Sequence, residues 1–255
     1  MSDIFNLQGK TAIVTGASSG LGVQFAKALA RFGANVVICA RRQEKLESTQ
    51  SEIEALGASC LAIQCDVNNT DDIVNVVTKT LEKFGQIDIL VNNAGVAGMS
   101  KAEELPEDEW DNVVNTDLRA VMMFSKHVGK HMVERGYGRI VNIASMFGVL
   151  GNEFIPASAY HAAKGGVVNL TRALAGEWGI KGITVNAIGP GFFESEMTQP
   201  IEGNEPFEAY LKARCPMDRW GKEGELDGAL IYLASDAASY TNGQVICVDG
   251  GWTAT

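Results

Sequence analysis

The stretch Thr11-Ala12-Ile13-Val14-Thr15-Gly16-Ala17-Ser18-Ser19-Gly20-Leu21-Gly22 decides the fold. Its first five residues are apolar or β-branched, as a strand covered on both faces requires. Gly16, Gly20 and Gly22 then allow a tight turn and a close backbone approach, and the pattern turns helical from Leu21. A helix starting there aims unpaired N–H groups and a partial positive charge at whatever sits on the turn. Strand, glycine turn and helix in that order predict a dinucleotide whose pyrophosphate rests on residues 16–22.

The same alternation runs through the chain. Short apolar runs predict strands at 11–15, 35–40, 59–65, 87–91, 138–144, 183–188 and 244–248. Helical patterns fall between them at 21–32, 43–56, 71–84, 107–134, 157–180 and 223–234. Thr70-Asp71-Asp72 reads as a helix cap with acidic residues in the first turn, and Gly33 and Gly57 as helix stops. Strands alternating with helices predict an α/β fold: one domain over residues 1–255, with a doubly wound, parallel, seven-stranded sheet. Residues 189–215 break the rhythm, with three prolines and no clear period, and are expected to form a substrate loop.

Composition narrows the function. The chain has 255 residues, 46% of them hydrophobic, and a formal net charge of −10. That charge speaks against a nucleic-acid or anionic-membrane partner, because both require basic surface. No apolar run reaches membrane-spanning length and residues 1–10 lack a leader pattern, so a soluble cytoplasmic protein is expected. The five cysteines include no Cys-x-x-Cys and read as reduced thiols.

The second strand separates NAD from NADP. An NAD site places a carboxylate at its end to hold the ribose hydroxyls. Here Ala40 occupies that position, and Arg41 and Arg42 follow. Guanidinium groups pair with phosphate and a carboxylate repels it. NADP(H) is therefore expected, with Arg41 on the 2′-phosphate and Arg42 near it or the adenine.

Ser145 follows the fifth strand, and Tyr160-His161-Ala162-Ala163-Lys164 lies in a helical pattern fifteen residues on. A spacing of four puts Tyr160 and Lys164 on one helix face. An ammonium ~4 Å from a phenolate stabilises it by about 4 kcal/mol at an effective dielectric of ~20, enough to bring the phenol toward a working pKa. Ser145 is placed to hydrogen-bond a substrate oxygen on which negative charge develops. These residues predict exchange between a secondary alcohol and a ketone.

Thr15–Gly22, Asp66-Val67, Asn92-Asn93-Ala94-Gly95, Ser145, Tyr160/Lys164 and Pro190-Gly191 together resemble the short-chain dehydrogenase/reductase family over essentially the whole chain. The resemblance implies a Rossmann fold and adenine contacts at Asp66 and Val67. It implies nicotinamide-ribose packing at Asn93, Ala94 and Gly95, and ribose hydroxyl contacts from Tyr160 and Lys164. It also implies nicotinamide packing by Pro190, Gly191, Phe193 and Ser195, and a homotetramer built on the long helices and the last strand. One position departs from the family pattern. Where the family carries an asparagine that supports a proton relay to the lysine, this chain has Asp117, expected to assist catalysis by bending the helix or by charge on Lys164.

The substrate is less constrained. The wall is expected to draw on Met146, Phe147, residues 151–155 and the loop from Phe192, with Asn152, Glu153, Glu194 and Glu196 as polar options. Residues 188–192 and 216–221, with Asp117, resemble the gluconate 5-dehydrogenase-like branch, which implies a polyol or sugar acid. A 3-oxoacyl thioester reductase, a hydroxysteroid or bile-acid dehydrogenase and a non-catalytic NADP(H) sensor are the alternatives. No metal is expected: His127 and His131 share a helix face but lack a third ligand. His161 is expected to point away from the tyrosine's face.

Overall fold

A computed structural model describes residues 4–199 and 201–255. Residues 1–3 and Pro200, one of the three loop prolines, lie outside the described residues. The sheet contains β1 (Thr11–Thr15), β2 (Asn35–Ala40), β3 (Cys60–Gln64), β4 (Ile89–Asn92), β5 (Gly138–Ile143), β6 (Ile183–Pro190) and β7 (Val245–Val248). Their order is β3-β2-β1-β4-β5-β6-β7 and every pairing is parallel. The helices are α1 (Gly20–Arg31), α2 (Gln43–Glu54), α3 (Thr70–Phe84), α4 (Glu107–Val114), α5 (Ala120–Arg135), α6 (Ser158–Trp178), α7 (Glu205–Arg214) and α8 (Asp227–Ala234).

The strands' two-residue period divides the core between the faces of the sheet. Ala12 and Val14 of β1, with Val36 and Ile38 of β2, pack on Phe25 and Leu29 of α1 and Leu230 of α8. Ile13 and Val37 point the other way, into a layer with Ile73 and Val76 of α3 and Phe124 and Val128 of α5. A buried polar chain pins the centre of the second face. Asn92 Nδ2 donates to Asn142 Oδ1 (2.8 Å) and Ser125 Oγ (3.1 Å), and Asn142 Nδ2 donates to Thr171 Oγ1 (2.9 Å). Each of these amide nitrogens finds an acceptor away from water, which fixes β4 and β5 against α5 and α6.

The seven strands stand where the sequence pattern puts them, within a residue or two at their ends. Three expectations are corrected. Residues 107–134 are not one helix: a π-helical turn, Asn115–Arg119, separates α4 from α5, and the Ala120 N–H reaches back to Asn115 O. The segment 189–215 is not all loop, since α7 is capped by Asn204, whose side chain accepts from Phe207 N at 3.1 Å. The α3 cap is Asn69, one residue earlier than expected, and it accepts from Asp71 N at 2.9 Å. Gly33 and Gly57 have φ of 95° and 86°, the left-handed geometry of chain leaving a helix.

Candidate active site

The strand order reverses between β1 and β4, so the crevice at their carboxyl ends opens toward bulk space. Thr15 closes its floor. Its Oγ1 accepts from Asn93 N and Ala94 N, each at 3.0 Å, while Asn93 Nδ2 donates to Thr15 O at 2.8 Å. The glycines are required by this joint. A Cβ on Gly16 would lie 2.8 Å from Ala94 Cα, and one on Gly22 would lie 2.4 Å from Gly16 O. The turn is thus packed to contact from beneath.

Above it lies a cleft of about 540 Å³. Gly16, Ser18, Ser19, Gly20, Leu21 and Gly22 line its centre, with Arg41, Arg42, Asp66 and Val67 at one end. Asn93, Ala94 and Gly95 continue the wall, and Pro190 at the end of β6, with Gly191, Phe193 and Ser195 of the loop after it, covers the cleft. Ser145, Tyr160 and Lys164 stand at the other end. All sequence-predicted catalytic and cofactor-binding residues meet in this cleft except Asp117, which is fully buried behind it.

Tyr160 and Ser145 line the same end of the cleft, and Ser145 Oγ accepts from Phe147 N at 3.1 Å. Lys164, 3% exposed, donates from Nζ to Ile143 O at 2.9 Å and faces Asp117 Oδ2 at 3.1 Å. Its ammonium is 5.5 Å from the Tyr160 ring centre. Asp117 Oδ1 accepts from Val96 N at 2.8 Å. The carboxylate reaches this place because the π turn carries it and because residue 95 is glycine: a Cβ there would sit 2.7 Å from Asp117 Oδ2.

Burial pushes the Asp117 carboxyl above its ordinary value, against the pull of Lys164. Burial alone would lower the Lys164 pKa, but the charges of Asp117 and Tyr160 outweigh it and leave the ammonium firmly protonated. For Tyr160 the expected lowering is not found. Burial pushes the phenol above its usual value; Lys164 pulls it down, Asp117 pushes it up, and the neighbouring Ser145 hydroxyl pulls it down. Desolvation wins because the lysine's charge is shared with a carboxylate.

The substrate wall also needs correction. Met146, Phe147, Ile155, Phe192, Met197 and Ile201 line that end, but Asn152, Glu153 and Glu194 do not. Asn152 is turned inward, its Oδ1 accepting from Phe154 N (2.9 Å) and Ile155 N (2.6 Å) and its Nδ2 3.0 Å from His161 Nε2. His161 stacks on Phe147 with ring centres 4.6 Å apart, so it braces the wall as the neighbour of the tyrosine. Glu196 lies at the far end of the cleft, against Arg42 (2.9 Å) and Lys45 (2.5 Å). Lys45 was not foreseen, although a cation one turn after Arg41-Arg42 was a readable signal. Asn68 and Thr116, bonded to each other at 3.1 Å, also line the cleft, and no local motif marks them.

Among the described residues, no group of three His, Cys, Asp or Glu is arranged to hold a metal ion, and no helix is long and apolar enough to cross a membrane.

Comparison with known proteins agrees with this geometry. A family model described as enoyl-(acyl carrier protein) reductase, of the adh_short_C2 type, matches residues 16–253. Gluconate 5-dehydrogenase of Gluconobacter oxydans is 43% identical over 251 residues, covering 98% of this chain and 97% of that protein. A 2-dehydro-3-deoxy-D-gluconate 5-dehydrogenase of Bacillus subtilis is 40% identical, covering 99% and 98%. The crystal structure of a gluconate 5-dehydrogenase from Burkholderia cenocepacia in complex with NADP and tartrate superposes with a TM-score of 0.95 at 34% identity, covering 99% of this chain and 98% of that one. With a glycine turn on β1 and Ser145, Tyr160 and Lys164 converging on one cleft, this chain belongs to the short-chain dehydrogenase/reductase family of oxidoreductases, and is similar to its gluconate 5-dehydrogenase-like branch.

Proposed function

We infer that this chain is an NADP(H)-dependent oxidoreductase that interconverts a secondary alcohol and a ketone, with a sugar acid of the gluconate/5-ketogluconate type as substrate. One observation carries the reading: Ser145, Tyr160 and Lys164 share one cleft with the glycine turn and two arginines. The cleft fits the dinucleotide. The turn is open on its upper side, Arg41 and Arg42 supply the cationic end, and no carboxylate ends β2. When bound, the nicotinamide supplies the hydride donor or acceptor.

Tyr160 is the acid/base. In reduction its phenol donates a proton to the carbonyl oxygen, and in oxidation its phenolate takes the proton of the alcohol. Ser145 holds that oxygen by hydrogen bonding. Lys164, fixed between Ile143 O and Asp117, favours the phenolate and supplies donors for ribose hydroxyls. Asp117 is a positioning residue that keeps the ammonium charged and aimed. Asp66 and Val67 border the adenine end, Gly16 to Gly22 hold the pyrophosphate, and Asn93 to Gly95 flank the ribose. Pro190, Gly191, Phe193 and Ser195 form the nicotinamide-side cover within the substrate segment 189–215.

The acidic side chains that would repel an anionic substrate do not face the substrate end, which supports a sugar acid. The apolar wall of Met146, Phe147, Ile155 and Phe192 favours a second reading, a 3-oxoacyl thioester reductase. Mixing the protein with NADPH and 5-ketogluconate, acetoacetyl thioester or a ketosteroid separates these readings. Oxidation of NADPH with 5-ketogluconate, lost about 10²–10⁴-fold in Tyr160→Phe, is the expected result. Tight NADPH binding without turnover of any ketone would identify a sensor instead.

The half-exposed edge strand β7 supports assembly into a homotetramer, and the reduced cysteines support a cytoplasmic setting. Sedimentation should give four times the 27.3 kDa chain mass; a monomer at micromolar concentration would exclude the tetramer.

A further inference from the structure

The cationic end of the cleft already holds an anion from the chain itself. Glu196 Oε2 lies 2.9 Å from Arg42 Nη2 and its Oε1 lies 2.5 Å from Lys45 Nζ. Arg42 Nη2 also donates to Ser19 Oγ at 2.7 Å. Arg42 also reaches Ser18 Oγ at 3.1 Å. One carboxylate therefore joins the glycine turn, the N-terminal cap of α2 and the first turn of α2. These bonds, led by those from Arg42 and Lys45, hold its pKa down at about 2, so it is ionised at any working pH.

The segment that presents Glu196 is built to hold it there. Thr198 Oγ1 accepts from Ser195 N (2.9 Å) and donates to Phe193 O (2.7 Å), which closes a tight turn around residues 195–198. The Ser195 side chain rests against the glycine turn: a Cβ on Gly20 would be 3.3 Å from Ser195 Cβ. By contrast, the Arg41 guanidinium makes no hydrogen bond or ion pair among the described residues.

We propose that Glu196 is a specificity-determining residue, an internal occupant of the donors that a 2′-phosphate requires, which NADP(H) must displace and NAD(H) need not. This rests on the reading of the cleft as an NADP(H) site. A 2′-phosphate brings a charge of about −1.5 to −2 at neutral pH and accepts hydrogen bonds through three oxygens. It approaches through Arg41 and then competes with one carboxylate for Arg42 and Lys45. Two anions cannot both be served by these donors without like-charge repulsion. The discrimination for NADP(H) that the two arginines provide is accordingly held below its limit by Glu196.

Binding of 2′,5′-ADP, 5′-AMP, NADPH and NADH to the wild-type protein and to Glu196→Gln, measured calorimetrically, tests this without turnover. The expected result is roughly three- to tenfold tighter 2′,5′-ADP and NADPH in the variant, with 5′-AMP and NADH unchanged. In an Arg42→Ala, Lys45→Ala background the same substitution should lose its effect, since both shared partners are gone. Unchanged or weaker 2′,5′-ADP binding in Glu196→Gln, with wild-type NADPH binding intact, would overturn the competition and leave the NADP(H) reading standing. Absence of binding by any of the four ligands would overturn both.

Discussion

At the scale of single residues, the proposed acid/base Tyr160 stands beside two groups of opposite charge, Lys164 and Asp117. Lys164 and Asp117 act on Tyr160 with opposite signs, and burial adds to the effect of the aspartate. Alcohol oxidation needs the phenolate, so its rate rises as pH rises through the tyrosine's pKa. Removing the lysine's charge in Lys164→Met raises that pKa and moves the rise to higher pH. Removing the aspartate's charge in Asp117→Asn takes away a repulsion and moves it to lower pH. Rate profiles of oxidation for the two variants should therefore bracket the wild type; displacement of both in one direction would refute the charge assignment. Asp117 also bears on stability. Its folded pKa is raised, so its contribution is greatest below the unfolded carboxyl's pKa and is lost as pH rises through the folded value. Lys164, also raised, contributes fully below the pKa of a free lysine and loses that contribution only in strong alkali.

At the scale of elements, the glycine turn is the firmest part. Gly22→Ala would bring a Cβ to 2.4 Å from Gly16 O and 2.6 Å from Asn93 Nδ2, with backbone on one side and a bonded amide on the other. Neither yields cheaply, so a loss of about 2–4 kcal/mol in unfolding free energy is expected, along with weakened dinucleotide binding. Chemical denaturation reads the first and titration calorimetry the second. A stable variant with full affinity would show that the turn relaxes.

The same scale explains what could be read in advance. The strands were legible because burial on both faces leaves them continuously apolar, and Tyr160/Lys164 because four residues make one turn of α6. The π turn was not legible as such: Asn115-Thr116-Asp117-Leu118-Arg119 carries no helix-breaking residue, and the extra residue is held by tertiary bonds from Val96 and Lys164. α7 was missed because only Phe207 and Leu211 of its ten residues are buried, too few to show a period. Glu196 was seen as a polar side chain and assigned to the wrong end, since the partners that hold it, Arg42 and Lys45, lie about 150 residues away in the chain.

At the scale of the whole molecule, the end of the sheet opposite the cleft is held by Asp88. This side chain, 1% exposed, accepts from Thr11 N (2.8 Å) and Gln86 Nε2 (2.9 Å) through Oδ2 and pairs with Arg135 Nη1 (3.1 Å) through Oδ1. It ties the start of β1 to the approach to β4 and the end of α5. Asp88→Ala leaves a buried N–H without an acceptor and a cation without its partner, for an expected cost of about 2–4 kcal/mol. Because the substitution lies a full strand length from the nicotinamide end, kcat measured well below the melting temperature should stay within about twofold. A large fall in kcat at unchanged stability would mean that the two ends of the sheet are coupled.

The π turn has one more consequence. Each residue of a helix turns the chain by about 100°. Residue 117 is thus a phase shift between two helices as well as a carrier of charge. It sets α4 to present Val113 and α5 to present Phe124, Val128 and Met132 to their buried layers. Replacing Asp117 changes a charge; deleting it would rewind the helix and turn those three side chains out of the core. The position can be exchanged but not removed, so the fold holds a slot open for a side chain beside Lys164.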